Sequence, residues 1–287
     1  MTTSLTILGC GYLGSALADA ALASGWMVSA LTRNSKTGDL LRAKGVIRVV
    51  EEKIEEQTWH AQLDPNQDFV VNCVGASSPS LEGYQKSYID GQNSISSWLE
   101  SGSAKKFIFT SSSSVYPQSK GEEIDEHAGH QGISERGKLL LEAENICLSL
   151  NSAERKSFVL RLAGLYGPDR QLLIGKVKRG EQLSGNSSRF LNLIHRQDAV
   201  HALVSVLNSS CHVESRVYNV SDGEHATRGD IIDWLSKKLK LPNPGFEEND
   251  HPSAPNRRIS NALFQSDFEW APRYLSFRKA YEEMLAS

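Results

Sequence analysis

Three glycines near the start of the chain carry the first hint of chemistry. Gly9, Gly11 and Gly14 stand as G-x-G-x-x-G in the run Gly9-Cys10-Gly11-Tyr12-Leu13-Gly14. Such a turn does chemical work at one place in a fold, between an apolar strand and a helix. There the first glycine permits a tight turn, the second lets the backbone approach a pyrophosphate, and the third lets helix and strand pack closely. The helix N-terminus beyond it offers free N–H groups and a positive dipole end to the phosphates. A second group of interest follows. Proteins that hold the ribose 2′-hydroxyl of NAD place an acid about 20 residues past the glycines. This chain has Thr32-Arg33-Asn34-Ser35-Lys36 instead. A guanidinium matches a phosphate in bidentate fashion, so Arg33 with Lys36 points to the 2′-phosphate of NADP in preference to NAD.

The elements that must hold these groups follow from periodicity. Residues 5–8 read as an apolar strand, and residues 15–24 as a helix with Leu17, Ala20, Ala21 and Leu22 at helical spacing. Residues 26–31 form a second strand whose end carries Thr32 and Arg33. Residues 39–44 give a short helix closed by Gly45, and residues 46–50 a third strand. The acidic stretch 51–56 reads as a solvated loop and turn. Residues 68–76 are a fourth strand ending in Val74, Gly75 and Ala76, small enough for a cofactor to lie across. Residues 81–101 are read as one long helix with Tyr84, Tyr88, Ile95, Trp98 and Leu99 on one side, and residues 106–109 as a fifth strand. Strand and helix alternate, which predicts an α/β fold of Rossmann type: a doubly wound parallel sheet with a smaller, mostly C-terminal lobe.

Composition narrows the rest. The chain has 287 residues, 39% hydrophobic and 23% charged, with a net charge of -3. That suits one large or two smaller globular domains and argues against a nucleic-acid binder working by bulk electrostatics. Cys10, Cys73, Cys147 and Cys211 show no C-x-x-C spacing, so free thiols in a reducing cytoplasm are expected. No apolar run approaches ~18 residues, so no membrane span is expected. No His or Cys cluster has metal-ligand spacing, and no Gly-x-Ser-x-Gly elbow points to a hydrolase.

The fifth strand runs into Thr110-Ser111-Ser112-Ser113-Ser114-Val115-Tyr116-Pro117. Here the chain resembles the extended short-chain dehydrogenase/reductase family, the NAD(P)-dependent epimerases and dehydratases, with their strand ending in Ser-Ser-x-x-Val-Tyr-Gly. The likeness continues in Arg161 to Tyr166-Gly167-Pro168, in the stretch from Arg189 through His195 and Asp198, and in Val217-Tyr218-Asn219-Val220-Ser221-Asp222-Gly223. The resemblance implies an NAD(P)-binding domain over residues 1–169, to which 190–222 return, and a substrate lobe over 170–189 and 223–287. It implies a small-molecule substrate, a sugar or nucleotide-sugar; no nucleic-acid or membrane partner is expected. It also implies a homodimer paired through the helices 81–101 and 137–150, whose apolar stripes look wider than one sheet face requires.

The family's chemistry uses a Ser, a Tyr and a Lys. By resemblance Ser112 is the hydroxyl that polarises the substrate oxygen, and Lys138 is the lysine near the nicotinamide ribose that lowers the Tyr pKa. Lys138 followed by Glu142 resembles the family's Lys-x-x-x-Glu. The Tyr is missing: Ser134 occupies its place, and no Tyr lies between Tyr116 and Tyr166. Tyr88 stands where the family has an Asn and reads either as a relocated phenol or as a core aromatic. His195 and Asp198 read as a structural His beside a capping Asp. Two functions remain open: an NADP-dependent epimerase, dehydratase or reductase with altered acid–base residues, or a non-catalytic dinucleotide-binding sensor or scaffold.

Overall fold

The computed structural model describes residues 2–210, 212–247, 249 and 254–286; Cys211 lies outside them. The chain divides into two compact units, each taken by itself below. The first holds residues 2–115, Ser134–Arg161 and Val200–Tyr218; the second holds Tyr116–Ile133, Leu162–Ala199 and residues 219–286.

The first unit is built on a seven-stranded parallel sheet. Its elements begin β1 (Ser4–Leu8), α1 (Tyr12–Ala23), β2 (Met27–Thr32), α2 (Ser35–Ala43), β3 (Arg48–Glu51) and β4 (Phe69–Asn72). They continue through α3 (Leu81–Tyr84), α4 (Gly91–Glu100), β5 (Lys106–Ser112), α5 (Glu135–Ser149), β7 (Lys156–Leu162), α7 (Arg196–Asn208) and β11 (Val217–Val220). The strand order is β11-β7-β5-β4-β1-β2-β3. Leu5, Ile7 and Leu8 have no exposed surface, because β1 is covered on both faces and so reads as a continuous apolar run. Its register sets Leu8 opposite both Leu31 and Asn72. The glycine turn, Thr32-Arg33 and Cys73-Val74 therefore leave the sheet at one level, along its carboxyl edge.

The long helix expected over 81–101 runs unbroken from Leu81 to Glu100, with a π-helical stretch, Gln85–Asp90, between α3 and α4. One expectation changes: the stretch after β3 is not merely solvated. Ile54, Trp59 and Leu63 are buried and pack with Trp98 in one cluster, the rings of Trp59 and Trp98 5.2 Å apart. Ile95, Trp98 and Leu99 are thereby covered within the chain, while α4 exposes Asn93, Ser97 and Glu100. The α4 stripe on which the homodimer expectation partly rested has no surplus apolar face. Elsewhere a buried lysine closes a helix: Lys106 Nζ donates to the carbonyls of Val206 and Leu207 at 2.9 Å and of Ser209 at 2.6 Å, satisfying the last acceptors of α7.

The second unit has its own core, in which Tyr166, Ile174, Val177, Ile231, Leu235, Phe277 and Tyr281 come together. Short parallel pairs join β6 (Glu122–Ile124) to β13 (Arg257–Ile259), β8 (Gly164–Tyr166) to β10 (Leu193–His195) and β9 (Leu183–Ser184) to β12 (Phe246–Glu247). Among its helices are α6 (Leu172–Arg179), α8 (Arg228–Leu239), α9 (Ala262–Phe268) and α10 (Phe277–Ala286). Thr227 caps α8 as its position suggests, and Asp230 completes a capping box. Among the described residues no helix is long and apolar enough to cross a membrane.

Candidate functional site

The glycine turn has the backbone that its sequence demands. Gly9 sits at φ +87°, and a Cβ there would stand 2.7 Å from the Val74 backbone nitrogen. Any other residue would be strained and would push the end of β4 away. A Cβ on Gly14 would meet the Gly9 carbonyl oxygen at 2.5 Å, so α1 packs on the turn only because Gly14 has none. Gly11 differs, since a Cβ there would meet nothing within 4 Å; its backbone faces open space. The N–H groups of Gly9 and Cys10 both donate to the Leu31 carbonyl, at 2.9 and 3.0 Å, which ties the turn to β2.

In front of the turn lies a cleft of about 320 Å³, whose walls include Gly9, Gly11, Thr32, Arg33, Val74 and Gly75. Six residues expected at a cofactor are thus brought to one cavity. Gly14, Tyr12 and Leu13 are not in its wall; Tyr12 and Leu13 open α1, with Leu13 buried. Thr32 is buried, and its hydroxyl accepts the Asn34 N–H at 3.3 Å. Asn34 in turn caps α2, its side chain accepting the Thr37 N–H at 3.2 Å. The helix starts at Ser35, four residues earlier than periodicity suggested, because Asn34 supplies the cap. Arg33 is thereby held on a short, pinned link between β2 and α2, exposed at the cleft.

Sequence reasoning missed the opposite wall. Glu52, Lys53, Ile54 and Glu55 also line the cleft, as do Thr37 and the buried Ser87. Glu51, at the end of β3, pairs with Arg42 at 2.7 Å, and Ser35 and Arg42 hold its carboxyl below its ordinary pKa. Cys10 and Cys73 stand in the wall as neutral thiols: burial raises Cys10 far above its ordinary value and pushes Cys73 up to about 12.

The expected catalytic residues sit on β5 and α5, which pack against each other. Ser112 ends β5, and its hydroxyl oxygen accepts the Ser114 N–H at 3.1 Å, leaving its own proton to donate. Lys138 lies in the first turn of α5, exposed, with Nζ 2.6 Å from Glu135. Such an exposed pair is weak and easily exchanged for another partner. Ser134 is the N-cap of α5: its hydroxyl accepts the Gly137 N–H at 3.2 Å. That explains a serine in this place without any acid role. Ser134→Ala is expected to cost about 1 kcal/mol of stability, the usual value of a cap, measured by urea denaturation; an unchanged midpoint would contradict it.

Buried beneath, Glu144 fixes α5 to the sheet. Ser111 Oγ donates to its Oε1 at 2.6 Å, and Arg161 on β7 grips it with Nε at 3.0 Å and Nη2 at 2.6 Å. The acid suggested by the family's Lys-x-x-x-Glu spacing, Glu142, is exposed; the one with a structural duty is two residues further on.

Tyr166 and Tyr88 are both poorly suited to replace the missing Tyr as an acid. Tyr166 is buried in the second unit with its hydroxyl unpartnered, and desolvation together with Asp222 raises its pKa far above the ordinary value. Tyr88 is pushed up to about 12 by burial and then by Tyr84. His195 packs edge-on to Tyr166 at 5.3 Å, and burial lowers its pKa to about 4, so it is a neutral, structural ring. Asp198 accepts the N–H groups of Arg273 and Tyr274 at 2.8 and 3.0 Å, anchoring the segment before α10.

Comparison with known proteins agrees with this geometry. Protein YeeZ of Escherichia coli K12 is 26% identical over 250 residues, 85% of this chain and 87% of that protein. Among solved structures, UDP-glucuronic acid 4-epimerase from Bacillus cereus, in complex with UDP-glucuronic acid and NAD, superposes with a TM-score of 0.85 at 20% identity, covering 98% of this chain and 97% of that one. MoeE5, in complex with UDP-glucuronic acid and NAD, gives a TM-score of 0.84 at 20% identity over 97% of this chain and 96% of that one. The sequence profile of the NAD dependent epimerase/dehydratase family matches residues 5–221. With the parallel sheet, the glycine turn and the cleft before it, that match establishes that the chain belongs to the NAD dependent epimerase/dehydratase family.

Proposed function

We propose that the protein is an NADP-preferring enzyme of epimerase, dehydratase or reductase type acting on a sugar or nucleotide-sugar. The observation that carries the reading is the cleft itself: it joins Gly9 and Gly11 to Arg33, with no acid at the end of β2. The residues fit a dinucleotide. Gly11, the residue before α1 in the cleft wall, leaves room for a pyrophosphate at the helix N-terminus, and Arg33 in the same wall supports a 2′-phosphate reading because a guanidinium pairs well with phosphate. Val74 and Gly75 would line its ribose. The nicotinamide supplies hydride transfer. The chain's part is to bind it, to polarise a substrate oxygen through the free proton of Ser112, and to place the Lys138 charge by the ribose. The sugar class rests on the nucleotide-sugars held by the two structural neighbours.

Titration of NADPH and NADH by intrinsic or cofactor fluorescence tests this. Arg33→Ala is expected to weaken NADPH by roughly tenfold or more, the worth of a charge-assisted bidentate pair, and NADH by less than twofold. Equal loss for both would remove the 2′-phosphate role. One observation favours a second reading, a dinucleotide-binding sensor without chemistry: Ser134 is spent as a helix cap and Tyr166 is sealed in a core. A protein that binds NADPH tightly but turns over no sugar nucleotide would support that reading.

A further inference from the structure

The π-helical turn Gln85–Asp90 puts two hydroxyls against the same stretch of chain. Tyr88 Oη accepts the Ala76 N–H at 3.2 Å, and Ser87 Oγ accepts the Ser77 N–H at 2.9 Å. That stretch follows directly on one wall of the cleft, Val74–Ala76, and Ser87 itself reaches the cleft. On its other side the wall is braced by the glycine turn, with the Val74 backbone against Gly9. The wall leaves β4 after Asn72, whose side-chain oxygen accepts the Val74 N–H at 3.0 Å. Beyond Val74, its N–H groups at Ala76 and Ser77 are held by the π turn.

We infer that Tyr88, with Ser87, is a positioning residue for the dinucleotide: it latches the Val74–Ala76 wall at the spacing from Gly9 that the cofactor requires. The inference rests on the proposed reading of the cleft. Tyr88 is thus the core aromatic of the two alternatives left open by its sequence, with a further duty at its hydroxyl. Its ring belongs to the core, 5.3 Å from Tyr84 and 6.1 Å from Phe109, while its hydroxyl does polar work at the cleft. A π turn, where helical residues leave their usual register, is a common device at functional sites. Burial keeps the phenol neutral at physiological pH, so the latch is a steady hydrogen bond and takes no part in proton transfer.

Tyr88→Phe removes one oxygen and keeps the ring, so the packing should survive. Two measurements on the full chain test the latch. Hydrogen exchange read by mass spectrometry on a peptide covering residues 74–78 is expected to quicken at least fivefold in Tyr88→Phe, with the peptides of β1 and α5 unchanged. The Kd for both NADPH and NADH is expected to rise by about fivefold to twentyfold, the effect of leaving a partly buried N–H without its acceptor. Ser87→Ala should act in the same direction. A merely structural role would instead lower the melting temperature and quicken exchange across the unit. That result, or unchanged exchange and unchanged Kd, overturns the proposal. Should the unaltered protein bind neither dinucleotide, the reading of the cleft falls and the cofactor role with it. The exchange measurement alone then tells whether the latch exists.

Discussion

Glu144→Ala is expected to destabilise the protein by about 3–5 kcal/mol, the usual cost of removing one partner from a buried ion pair. The two side chains are 5% and 3% exposed, so Arg161 would be left charged with almost no access to water. Ser111 would lose its acceptor as well. The loss would fall on the first unit, because the triad joins α5, β5 and β7, and with it goes the fixed position of the α5 N-terminus that carries Lys138. Glu144→Gln should cost less, since an amide can still accept from Ser111 and Arg161. Glu142→Ala, two residues away on the exposed side of the same helix, should stay within about 0.5 kcal/mol of the unaltered protein. Urea denaturation of the three variants gives the comparison. A cost below about 1 kcal/mol for Glu144→Ala would mean that the pair contributes little that packing does not already supply.

That pair also marks how far the sequence could be read. The glycine turn was legible because its spacing is local: Gly9 takes the positive φ of a tight turn and Gly14 the close approach of α1, as their order predicts. That Thr32, Arg33, Val74 and Gly75 reach one cleft was legible too, since each ends or follows a strand whose apolar run could be counted. Glu144 was not. Its spacing from Lys138 has no local meaning, and only the register of α5 on β5 and β7 shows which acid turns inward. The far wall of the cleft was hidden for the same reason. Residues 52–55 look like a solvated acidic loop until Ile54 is drawn into the core with Trp59 and Trp98, which turns Glu52 and Lys53 to the cavity. The π turn had no sequence signal either. Its hydroxyl contacts depend on a shift of helical register that periodicity averages away. In the second unit, Asp222 reads as one residue of a family-like loop. In the fold it is buried, and desolvation pushes its pKa up to about 8 despite the N–H of Glu224.

With a substrate in hand, Ser112→Ala and Lys138→Ala should each lower turnover by more than tenfold, and Ser134→Ala by less. General acid–base assistance is typically worth about 10²–10⁴-fold, and the positions of these three side chains decide how it can be divided. Ser112 keeps a free proton at the end of β5, so it can polarise a substrate oxygen; alanine cannot. Lys138 is held by an exposed contact to Glu135, so its ammonium can be redirected to a ribose at little cost. Ser134 already spends its hydroxyl oxygen on the Gly137 N–H. A serine hydroxyl has a pKa far above 7, and one neighbouring ammonium shifts a group by a few units at most. The proton that the family's Tyr would move must therefore come from another donor, such as a water or the substrate. The discriminating measurement is kcat for each variant at saturating NADPH, alongside the NADPH Kd. Loss of kcat with Kd unchanged assigns Ser112 to chemistry, whereas for Lys138 a rise in Kd is expected as well. A thousandfold fall in kcat from Ser134→Ala, with Kd and stability both unchanged, would show that the cap is the acid.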